Sequence, residues 1–170
     1  MKKLIIIYLF FIPLFFINEA FCTMPYPSPI AQGNLVEKFS LQHTDKITIK
    51  VHFSENYFSA IDKAFDYETS IMDTQDIDII LEGLKEISKV NSYHMEPVGQ
   101  VIFYSKDKEI FKSELWFFQY SPVFIINKEW YMFYSTNKNN PEQVIYKYMP
   151  DEFNKEREWL WKGIEEGKIH

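Results

Sequence analysis

The sequence predicts an α+β fold: an antiparallel β-meander of about four to six strands with two or three helices packed on it. Three observations lead there. Ile47, Ile49, Val51 and Phe53 alternate with Lys46, Thr48, Lys50 and His52, a two-residue period that buries one face of a strand. From Asp73 to Ile87 the apolar residues fall instead at helical spacing. After Pro97 the two-residue period returns in four runs whose links are too short for a crossover helix, so these strands must pair antiparallel.

Taken in order, residues 23–45 are polar and Pro-containing and read as an extended N-terminal arm, with one short element around Leu35 to Leu41. Lys46 to Phe53 is the first strand. Ser54 can cap a helix in which Phe58, Ile61 and Phe65 recur at helical spacing. A second helix begins at Asp73, Thr74 and Asp76, where caps and negative charge suit the helix dipole. Ile77, Ile80, Leu81, Leu84 and Ile87 form its apolar stripe, and Lys85 and Lys89 lie toward the end that favours cations.

The meander reads as Val98 to Ser105, Glu109 to Tyr120, Val123 to Ile126 and Trp130 to Ser135. Ser105–Lys108, Ser121-Pro122 and Asn127–Glu129 supply its turns. Gln143 to Met149 reads as a fifth strand of this run. Asp151 then starts a last helix whose Phe153, Leu160, Trp161 and Ile164 share a face, with Gly167 placed as a C-cap.

The N-terminus carries an address. Lys2 and Lys3 precede fourteen uncharged residues, Leu4 to Ile17, followed by polar Asn18 and Glu19 and by small Ala20 and Cys22. As a helix such a stretch is about 21 Å long, short of the roughly 30 Å hydrocarbon core. It therefore reads as the core of a cleavable secretory signal over residues 1–22, leaving 46–170 as a single domain behind its arm. The expected location is exported, periplasmic or secreted; the alternative is a membrane anchor through an uncleaved segment. Cleavage after Cys22 would leave a mature chain without cysteine, held together by packing alone.

Charge narrows the partners. The net charge is −6, and loss of residues 1–22 removes two lysines and one glutamate, which makes it −7. That sign argues against nucleic acid and against anionic membrane surfaces, and leaves a basic protein partner open.

The search for chemistry returns little. His43, His52, His94 and His170 include no pair at zinc-ligand spacing, so no metal is expected. His94-Met95-Glu96, in the link between helix and meander, is the one His-plus-carboxylate cluster that could serve in acid–base chemistry. No serine is flanked by glycine and no Gly-rich phosphate loop follows a strand, so no catalytic residue and no cofactor are assigned.

The unusual feature is aromatic. Alternation puts Phe111, Leu115 and Phe117 on one face of the long strand, with Trp116 and Phe118 on the other. In the strand that begins at Trp130, the residues Trp130, Met132 and Tyr134 oppose Tyr131 and Phe133. Trp116, Phe118, Trp130, Met132 and Tyr134 are therefore the candidate partner-binding residues, being of types enriched at protein interfaces. In size, charge and export signal the chain is similar to small exported bacterial proteins, several of which neutralise toxins or inhibit hydrolases in the envelope, a likeness covering no particular residue. The expected function is a non-enzymatic inhibitor or immunity-type protein acting on a partner protein in the cell envelope. A small-ligand or lipid carrier with an apolar pocket, and an envelope hydrolase using His94 and Glu96, are the alternatives.

Overall fold

A computed structural model describes residues 29–54, 64–91, 96–133 and 140–167. The signal segment, Phe58 and Ile61 of the expected first helix, and His94, Met95 and Tyr134 lie outside the described residues. The architecture is α+β. One antiparallel sheet comprises β1 (Pro29–Gly33), β2 (Lys46–Phe53), β3 (Phe65–Ile71), β4 (Ile87–Val90), β5 (Gly99–Ser105), β6 (Lys108–Phe118), β7 (Ser121–Ile126) and β8 (Glu129–Met132). The helices are α1 (Leu35–Lys38), α2 (Thr74–Lys85), α3 (Pro141–Lys147) and α4 (Asp151–Glu165). The strand order is β1-β4-β8-β7-β6-β5-β2-β3, so the meander β5–β8 forms the middle and earlier strands extend it on both sides.

The sheet is larger than the expected four to six strands, and each extra strand has a physical reason. β3 alternates Phe65, Tyr67, Thr69 and Ile71 against Asp66, Glu68 and Ser70, and pairs with β2 from Phe53↔Phe65 to Ile47↔Ile71. Its Phe65 is therefore a strand residue, not the end of a helical stripe. β4 follows α2 after the single residue Glu86, so Ile87 opens a strand where its spacing suggested a helix. β1 has no sequence alternation and is held by pairing with β4. Within the stretch read as an arm, short helical turns at Leu35–Lys38 and Leu41–His43 bury Leu35, Val36 and Leu41 in the main core.

The expected fifth strand of the run is a helix instead. Asn140 caps α3 by accepting from the Glu142 N–H at 3.0 Å, and Pro141 occupies the first turn, where its missing N–H costs nothing. Val144, Ile145 and Tyr146 are apolar in a row because short α3 is buried on more than one side.

The hairpins of the meander turn at Lys106-Asp107, Gln119-Tyr120 and Asn127-Lys128, all six residues at positive φ and none of them glycine. The middle turn thus precedes Ser121-Pro122, which belongs to β7. Pro122 sits opposite Phe117, one position past the Phe118↔Ser121 pair that closes the hairpin. A two-residue turn makes that closing pair hydrogen-bonded, so the Pro122 nitrogen points away from β6, where β8 has already ended.

The main core lies between one face of the sheet, here the front, and the helices. Ile47, Ile49, Val51 and Phe53 of β2 join Val101, Phe103, Leu115, Phe117 and Phe124, and buried residues of all four helices meet them. Phe153 anchors α4, its ring 4.7 Å from Phe117 and 5.9 Å from Phe53 between centroids. Asp73 caps α2 through the Asp76 N–H. No described helix is long and apolar enough to cross a membrane.

Candidate functional site

With the helices on the front, strand alternation decides what the back face presents. Ile102, Trp116 and Phe118 apart, the outward positions across β3, β2, β5 and β6 are mostly polar, and register lines these up. Glu68 lies opposite Lys50, Lys50 opposite Gln100, and Gln100 opposite Glu114, a row of side chains crossing four strands. Beside it His52 faces Asp66. Lys50 Nζ lies 3.0 Å from Glu68 Oε2, and His52 Nδ1 lies 2.8 Å from Asp66 Oδ1. Both pairs are exposed, so each contributes at most about 1 kcal/mol.

These side chains line an open groove of about 710 Å³, walled by Pro97 and Val98 and completed by Lys112. Gly99 shapes its floor. A Cβ there would fall 2.0 Å from the Lys50 carbonyl oxygen and 2.8 Å from the Val51 Cα, so only glycine lets β5 approach β2 this closely. The His52 N–H donates to the Val98 carbonyl at 2.7 Å just beyond the paired segment. A second depression of about 380 Å³ shares Gln100, Lys112 and Glu114 and reaches Phe39, Phe111 and the β7–β8 turn. The two depressions thus meet at these three side chains.

His52 and Asp66 are oriented as an acid–base pair would be, yet among the described residues no serine, threonine or cysteine lines the groove. The Tyr67 hydroxyl is engaged on the front, donating to the Tyr148 carbonyl at 2.9 Å. What the groove presents is a set of exposed charges of both signs. Among the described residues no group of three or more His, Cys, Asp or Glu could hold a metal ion. Glu96 is exposed ahead of β5, and His43 is exposed in the turn after α1.

The other half of the back face is apolar. Trp116, Phe118, Trp130 and Met132 lie on the face away from the helices, with Val90, Val123 and Ile125. The Trp116 and Trp130 rings meet edge-on at 5.1 Å. All four candidate side chains are buried, with exposures of 5, 3, 5 and 0% respectively. The described structure brings four of the five sequence-assigned residues together, as a packed cluster beside the groove.

One polar constellation carries little sequence signal. At the β6–β7 turn, Glu142 of α3 is 9% exposed and accepts from the Tyr146 hydroxyl at 3.1 Å and from Ser121 Oγ at 3.5 Å. Burial pushes the Glu142 carboxyl above its ordinary range. The Arg157 guanidinium of α4 lies over the Tyr146 ring at 4.3 Å. Burial and the neighbouring Glu156 carboxylate raise the Tyr120 hydroxyl, while burial and Glu142 raise that of Tyr146. These groups tie β7, α3 and α4 together and are closed to a substrate. The Asn140-Pro141-Glu142 helix start and the Glu142–Tyr146 spacing of four are the only signals that could have found them. In comparisons with known proteins, no family model, curated protein or solved structure matches this chain.

Proposed function

We propose that this chain is a small exported, non-enzymatic binding protein of inhibitor or immunity type. It acts on a partner protein in the cell envelope, presenting the open face of its sheet to a basic surface. The supporting observation is the one-sided placement of the helices. Among the described residues they leave the row of Glu68, Lys50, Gln100 and Glu114, with His52 and Asp66 beside it, as an open groove of polar and charged side chains. A surface of paired, exposed charges sets partner choice and association rate more than raw affinity, the requirement for a protein that must find one target.

Affinity purification of the tagged protein from its own envelope fraction tests this directly. A stoichiometric protein partner, released by salt, is the expected result. A co-purifying small molecule with no protein would overturn the proposal in favour of a carrier.

A further inference from the structure

We propose that β3 is the docking edge for an extended basic segment of the partner, which adds to the sheet as a further strand and lays its cationic side chains over Asp66 and Glu68. This rests on the binding-protein reading above and specifies how the partner is held.

The two edges of the described sheet are built differently. β1 carries Pro29 and shifts register between Pro29 and Ala31, two devices that spoil an edge as a template. β3 has seven residues, no proline, no lysine and an unbroken register with β2. Its outer side therefore offers a straight row of backbone N–H and C=O groups suited to strand addition.

Charge selects the occupant. Asp66 and Glu68 project on the groove side of this edge with side chains 89% and 58% exposed. A second copy in antiparallel register centred on β3 would set Glu68 against Glu68, a like-charge pair that disfavours self-association. Lysine or arginine at alternate positions of an incoming strand would meet the two carboxylates instead. Its intervening side chains would fall on the front beside half-buried Phe65, Tyr67 and Thr69, where apolar residues fit. The recognised segment thus alternates basic and apolar residues.

The test uses the purified protein and a terminally blocked peptide alternating lysine and valine, matched to the seven residues of β3. A second peptide of the same sequence is N-methylated along the backbone edge that would face β3. At low ionic strength the first peptide is expected to bind, and the second at least about tenfold more weakly, having lost its strand hydrogen bonds. Asp66→Asn with Glu68→Gln should weaken the first about five- to tenfold while leaving the thermal melt unchanged. No binding of the first peptide, or equal binding of the two, overturns strand addition at β3. A partner from the envelope fraction that binds this double variant as well as the wild type would remove β3 from the interface and leave the binding-protein reading standing. Absence of any partner would remove that reading itself.

Discussion

Gly83 is the residue where local preference and packing conflict most. It interrupts the stripe of α2, and alanine there would favour the helix by about 1 kcal/mol. A Cβ at this position, however, would fall 2.6 Å from Pro141 Cγ and 2.9 Å from Phe133 Cε1, in the seam where α2 meets α3. Overpacking of a tight seam costs about 1–3 kcal/mol, so Gly83→Ala should be destabilising overall, and urea unfolding of the variant measures it. The tryptophans of the back face make a second case. Trp116→Ala should cost about 3–5 kcal/mol, as Phe117→Ala does, since both side chains are buried on opposite sides of one strand. A Trp116→Ala melt matching the wild type would mean that this ring stabilises nothing and is held for a partner.

At the scale of elements, legibility followed the strength of the period. β2 was readable because its eight residues alternate, β5, β6 and β7 because apolar and aromatic runs are set off by short turns, and α2 because its cap, stripe and terminal lysine coincide. β4 has four residues, too few to separate from the end of α2, and α3 has an apolar run that suits either period. The groove itself escaped, since it depends on β3 joining β2, and Lys50, Asp66, Gln100 and Glu114 are distant in sequence.

The junction of α2 and α3 makes a pH prediction. The Asp76 carboxyl is held below its ordinary value of 3.8 by hydrogen bonds from Lys147 Nζ at 2.7 Å and from the Tyr148 hydroxyl at 2.6 Å. Its contribution is present above that value and lost as pH falls below it. Glu142 has the opposite sign: it binds its proton more tightly when folded, so its burial costs stability as pH rises above its ordinary value of 4.5. At pH 7, Asp76→Asn should therefore lose about 1–2 kcal/mol, a gap that closes on strong acidification. Glu142→Gln, which keeps a partner for Tyr146, should gain stability at pH 7 and lose that gain as pH approaches 4.5. Denaturant midpoints across a pH series read both signs.

For the molecule as a whole, strand order implies an order of events. The strands of the meander are joined by two-residue turns, so β5 to β8 can zip together from local contacts. β2 must instead find β5, with Lys46 opposite Tyr104, and β1 must find β4, with Pro29 opposite Val90. Closing loops of roughly 60 residues comes at an entropic cost that only an existing template offsets. Conservative truncations such as Phe124→Leu in β7 should therefore slow refolding, with φ-values of about 0.5 or more, while Ile47→Val in β2 should mainly speed unfolding. Uniform φ-values across both strands would show that no such template forms first.

The same arrangement bears on how such a chain could leave the cell in which it is made. Synthesis delivers β1, β2 and β3 first, but β2 has no partner on its inner side until β5 emerges, and β3 depends on β2. The N-terminal half thus has only the β2–β3 pairing available to it, and lacks the inner partner of β2 until β5 is made. On the proposed export route the polypeptide can pass through a narrow channel before it gains the means to collapse. Helix α4, the last of the described helices, can close over Phe53 only after the whole meander has been made.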